Sequence, residues 1–170
     1  MFHSNRRLLV ISFLLLASIQ LHSQSIDLKT LKSLVFAPSI NEAEKQLKPF
    51  GYSFEKSGKI DRGGTQFDFF MFQRIDIANS SKEAVIMYLD TNVLKRINPS
   101  IRYMSFAEKT FDQLKDQCEE LGAKILSEEN ENQCFYRVFK KSDWTYSFSI
   151  CEQKDGGSIY AIDININWQL

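Results

Sequence analysis

The sequence predicts an α+β fold: an antiparallel sheet with helices packed on one face, arranged as two tandem helix-plus-antiparallel-strand halves. Three observations predict it. Two Ser-x-x-Glu capping boxes, at Ser39–Glu42 and Ser105–Glu108, each open a helical stretch. Each helix is followed by a glycine and then by three or four strand-like runs. The last two runs alternate apolar and polar residues strictly, as a sheet with one buried and one wet face requires.

The first 23 residues read as a cleaved secretory signal. Arg6 and Arg7 precede an apolar run, Leu8–Leu16, which fades toward the small Ser23. That run is shorter than the roughly 20 residues of a membrane span. The expectation is therefore an exported protein, periplasmic or extracellular, with no membrane span after signal cleavage. The signal would remove His3 and His22, the two histidines of the chain. The first half is placed at 24–104 and the second at 105–170, as one compact unit or two repeats.

In the first half, apolar residues at 28, 31, 34 and 35 suit a short helix that Pro38 ends. A second helix follows the Ser39 box and stops near Pro49 and Gly51. Strands are expected at Tyr52–Glu55, Thr65–Ile75 and Glu83–Asp90, with a fourth within Val93–Met104. Gly58, Gly63-Gly64 and Asn79-Ser80-Ser81 read as turns. In the second half, Phe106, Phe111, Leu114, Cys118 and Leu121 form one helical stripe, and Gly122 stands at its C-terminal end. Strands follow at Ala123–Leu126, Cys134–Lys140, Trp144–Cys151 and Ser158–Trp168.

The final pair places Trp144, Tyr146, Phe148 and Ile150 on one face with Tyr160, Ile162, Ile164, Ile166 and Trp168. Thr145, Ser147, Ser149, Ala161, Asp163 and Asn165 take the other. A three-residue loop Asp155-Gly156-Gly157, with Gly157 left-handed, sets Trp144 opposite Trp168. For the preceding hairpin, a two-residue loop Ser142-Asp143 sets Cys134 opposite Cys151, at a separation that a disulfide accepts. An oxidising compartment would permit that bridge. Cys118 reads as a small buried hydrophobe.

Composition narrows the chemistry. Outside the signal stand 19 basic and 21 acidic residues, a net charge of −2, with no basic excess to draw nucleic acid. Without histidine, Ser-His-Asp and Cys-His catalysis cannot be assembled, and zinc loses its usual nitrogen ligand. Gly63-Gly64 and Gly156-Gly157 read as turns rather than phosphate cradles, and no cofactor is expected. Glu128, Glu129 and Glu131 read as a solvated loop.

The two halves differ. Phe67, Phe69 and Met71 alternate with Phe70 and Phe72, and Val85, Met87 and Leu89 with Ile86 and Tyr88. Both faces of those strands are apolar, so one set faces the helices and the other is covered or exposed. Phe67, Phe69, Phe70, Phe72 and Tyr88 are accordingly the candidate interaction face, since monomers rarely leave a large apolar patch unused. The element order resembles that of the β-lactamase-inhibitor protein and BamE-type outer-membrane assembly folds, and the resemblance implies a protein-binding role. The expectation is an exported non-enzymatic binding protein of the cell envelope, its partner a protein or envelope component. The alternatives are a small carboxylate-dependent hydrolase and a carrier of an apolar ligand between helices and sheet.

Overall fold

The computed structural model describes residues 25–62, 64–76, 81–90 and 100–167. The expected signal peptide, the turn triplet Asn79-Ser80-Ser81 in its first two residues, and the Trp168 pairing lie outside them. In chain order the elements are α1 (Leu28–Leu34), α2 (Ile40–Leu47), a 3-10 turn (Lys48–Phe50), β1 (Ser53–Arg62), β2 (Thr65–Asp76), β3 (Ser81–Asp90), β4 (Ser100–Ser105), α3 (Glu108–Glu120), β5 (Lys124–Glu131), β6 (Cys134–Lys141), β7 (Trp144–Glu152) and β8 (Ser158–Ile166). All eight strands form one antiparallel sheet in the order β1-β2-β3-β4-β8-β7-β6-β5.

The helices form for local reasons and stay for non-local ones. Asp27 caps α1 by accepting from the Thr30 amide at 2.6 Å, and Ser39 caps α2 by accepting from the Glu42 amide at 3.2 Å. Gly51 ends the 3-10 turn at φ +82°, a left-handed conformation that suits glycine. Alone, such short helices would be marginal. They persist because Leu28, Leu31, Leu34, Ala43, Leu47, Phe111, Leu114 and Cys118 pack on the sheet. The sheet supplies Phe72, Val85, Met87, Ile101, Tyr103, Phe139, Tyr146, Phe148, Ile162 and Ile164 to the same core.

Several expectations change. Ser105 does not cap α3. It ends β4, its hydroxyl accepts from the Ala107 amide at 2.9 Å, and the helix starts beyond it with Ala107 at the cap position. Gly58 is no turn. It lies inside β1 opposite Phe69, and a Cβ there would come within 2.9 Å of the Phe69 ring. The glycine makes room for an aromatic ring to lie across the strand, which a turn-based reading of glycine overlooks. Glu128, Glu129 and Glu131 are strand, not loop: they form the outer half of edge strand β5.

The β7–β8 register is also shifted. Glu152 pairs with Ser158, so the turn holds five residues rather than three, and Trp144 lies opposite Ile166. The Gln153 amide donates to the Gly157 carbonyl at 2.7 Å, and Gly156 rather than Gly157 is left-handed at φ +86°. Because the shift is two residues, every side chain keeps its expected face. The β6–β7 register is as expected: Lys141 pairs with Trp144 and Cys134 with Cys151. These two cysteines form a disulfide, their Cα atoms 4.0 Å apart.

Candidate functional site

The strand registers sort the side chains of the sheet into two faces. Phe70 and Phe72 stand beside Met87 and Val85, on the face under the helices. Phe72 is 0% exposed and belongs to the core. Phe70 is half-buried against that core. Of the five aromatic candidates, these two are therefore separated from the rest. Phe69 pairs with Tyr88 on the opposite face, and Phe67 is two residues along the same strand.

That opposite face is built from β2 to β8 by simple alternation. Phe67, Phe69 and Met71 come from β2, Ile86 and Tyr88 from β3, and Met104 from β4. Beyond them lie Ala161 and Asn165 of β8, and Thr145, Ser147 and Ser149 of β7. Half of the face is aromatic and aliphatic, and half carries small hydroxyls and amides. Ile86 and Tyr88 are each 6% exposed, yet neither belongs to the core beneath the helices. Phe67, Phe69 and Met71 are half-buried around them. Among the described residues, all three helices contribute to the single core on the other side.

One ion pair crosses the boundary between the two halves of this face. Arg102 on β4 stands opposite Asp163 on β8. Its Nε and Nη2 donate to Asp163 Oδ1 and Oδ2 at 2.7 and 2.8 Å, a two-point geometry with each charge answered. The hydrogen bond to Asp163 raises the Arg102 pKa, against the opposing effect of burial. The wet character of Asp163 is legible in the alternation of β8. Arg102 is not, because the limits of β4 are indistinct in sequence.

A second polar constellation lies inside the molecule. Glu83 of β3 is 2% exposed. Its carboxylate accepts from the Tyr52 hydroxyl at 2.8 Å and pairs with Arg74 of β2 at 2.9 Å, and the Ser105 hydroxyl stands 3.5 Å away. Arg74 also donates to the Phe50 carbonyl at 3.2 Å, which ties the end of the 3-10 turn to the sheet. Burial, with the nearby Glu83 carboxylate, drives the Tyr103 phenol well above its ordinary range, and burial does the same at Tyr52. No sequence motif announces this cluster, because its members come from four separate segments. Its geometry is that of an internal ion pair rather than of two carboxylates flanking a cleft.

Elsewhere, burial pushes the Cys118 thiol up to about 12 and the Tyr146 phenol up to about 12. Among the described residues, no group of three or more His, Cys, Asp or Glu side chains is placed to hold a metal ion. No described helix is long and apolar enough to cross a membrane. No protein-family model matches the chain, and neither does any curated protein or solved structure.

Proposed function

We propose that this chain is an exported, non-enzymatic binding protein of the cell envelope, and that it acts through the sheet face opposite its three described helices. The observation that carries this reading is the apolar half of that face: Phe67, Phe69 and Met71, half-buried, around Ile86 and Tyr88. Large apolar faces of this kind on small proteins mark interaction sites. The rigid layer of helices behind the sheet holds it in shape.

The tandem organisation belongs to the same proposal. Two helices precede one four-stranded meander and one helix precedes the other, and the last strands of the two meanders, β4 and β8, lie side by side. That order supports descent from two joined helix-plus-strand halves. A pull-down from envelope extract, with the purified chain and its Phe69→Arg variant as baits, tests the functional reading. A partner retained by the first and lost by the second is the expected result. Equal capture by both would sink the assignment of this face. Mass-spectrometric reading of the secreted N-terminus tests export.

A further inference from the structure

We propose that Cys134–Cys151 is a reversible redox couple, opened and closed in the folded protein by exchange with a dithiol. This chemistry is independent of any binding by the aromatic residues of β2 and β3.

The bond is not what closes its own loop. β6 and β7 meet through a two-residue turn, and eight cross-strand pairs run from Lys141–Trp144 to Cys134–Cys151. The hydrogen bonding continues past the bridge, where the Glu152 amide donates to the Gln133 carbonyl at 3.0 Å. Glu152 is also paired with Ser158 of β8. The cysteines are 17 positions apart, and the backbone already joins that span. The bridge therefore acts on stability by restricting the unfolded chain rather than by holding the folded one together.

The bridge also stands apart from the core. Phe139, Tyr146 and Phe148 of the same two strands pack beneath the helices. Cys134 and Cys151 alternate to the opposite face, are half-buried, and do not belong to that core. Cys118 is 0% exposed and lies within the core, on the other side of the sheet. In the folded chain it cannot reach the pair, so opening yields one defined dithiol and no reshuffled bridge.

Exchange runs in two steps. A thiolate of the incoming dithiol bonds to one Sγ, the Cys134–Cys151 bond breaks, and the other Sγ leaves with the electron pair and takes up a proton. The second thiolate of the reductant then attacks the reductant sulfur of the mixed disulfide, and the remaining cysteine leaves in the same way. The protein gains two electrons and two protons, and the reductant is left as a disulfide.

The register selects the thiols that complete both steps. After the first step the released cysteine stays directly opposite the mixed disulfide. Held there, it expels a monothiol before a second one arrives, whereas a dithiol finishes the reaction within itself. Charge adds to the selection. Glu131 pairs with Cys134, and Glu129 lies two residues along the same face. Their carboxylates oppose an anionic thiol such as glutathione. The partner that fits is a neutral or cationic dithiol, such as a reduced Cys-x-x-Cys pair.

Differential alkylation of the purified chain tests the proposal, with Cys118 as the internal report on unfolding. Dithiothreitol without denaturant is expected to open Cys134 and Cys151 to iodoacetamide, while Cys118 stays unlabelled and the circular dichroism spectrum is unchanged. Removal of the reductant and addition of hydroxyethyl disulfide then restores the bridge. 2-Mercaptoethanol and glutathione at the same thiol concentration open less than about a tenth as much. A bridge that opens only when Cys118 is labelled as well overturns the proposal, because the folded protein then excludes exchange. Loss of the spectrum on reduction overturns it too, as does opening by 2-mercaptoethanol as complete as that by dithiothreitol.

Discussion

Replacing Glu83 by Gln keeps the shape of the side chain and removes its charge. In the native protein that carboxylate is 3% exposed at the side chain and faces an Arg74 that is 15% exposed, at 2.9 Å. Breaking one partner of such a buried pair costs about 3–5 kcal/mol, because the remaining charge loses its compensation. Arg74 keeps its bond to the Phe50 carbonyl, which places the expected loss at the lower end, about 3 kcal/mol. With a urea slope of about 2 kcal/mol per molar, the unfolding midpoint falls by about 1.5 M. Equilibrium urea denaturation followed by tryptophan fluorescence measures this directly. The companion experiment is the double variant Glu83→Gln, Arg74→Met. If the cost arises from an uncompensated buried charge, removing the guanidinium restores at least half of the lost stability. A single-variant loss under about 1 kcal/mol, or a double variant less stable than the single one, would refute the reasoning.

Three further outcomes are expected. Gly58→Val forces a side chain into the Phe69 ring, 2.9 Å from the new Cβ, and costs about 1–3 kcal/mol; Phe69→Ala in the same chain relieves part of that cost, as paired denaturation curves will show. Cys134→Ala with Cys151→Ala opens a loop whose ends are 17 residues apart and lowers stability by about 3 kcal/mol, whereas peptide mapping of the parent without reductant recovers the linked pair. The third concerns pH. The Cys118 thiol titrates near 9 in a free chain and is pushed up to about 12 by burial, so between those values the unfolded state has lost a proton that the folded state retains. Stability due to this group is complete below pH 9 and declines as pH rises toward 12, with Tyr146 adding to the decline above about 10. Denaturation midpoints measured from pH 8 to 11 should fall for the parent and fall less for Cys118→Ala.

How much of this was legible in the sequence depends on how local each signal is. The β6–β7 register follows from a two-residue turn, and the disulfide follows from that register; both could be counted along the chain. The faces of β7 and β8 were equally legible, because alternation survives a two-residue error in the turn. The error itself came from Gly156-Gly157. A pair of glycines marks a turn without fixing which of the two is left-handed or how many neighbours join it. Gly58 misled for a related reason: in sequence a glycine looks the same whether it bends the chain or makes room for a ring from the next strand. Ser105 satisfies the capping pattern, but β4 claims it first. The alternation of Phe67, Phe69 and Met71 with Phe70 and Phe72 showed that both faces were apolar. Which set faced the helices had to come from the pairing with β3. Arg74, Glu83 and Tyr52 meet only after three strands have formed, and no window of sequence contains that encounter.

The seam between β4 and β8 has a consequence for the order of assembly. Residues 100–105 bond to residues 160–165, so the strand at the centre of the finished sheet waits for the last part of the chain to be synthesised. Until then β4 is an open edge, and it has no bulge to protect it, unlike β1, whose register breaks between Phe54 and Lys56, and β5, whose register breaks between Ile125 and Ser127. Pairing across so many intervening residues is slow, and an unguarded central edge is where a half-made molecule would aggregate. A truncation that removes β8 therefore does more than shorten the sheet. It turns the protected middle of the protein into its most adhesive margin.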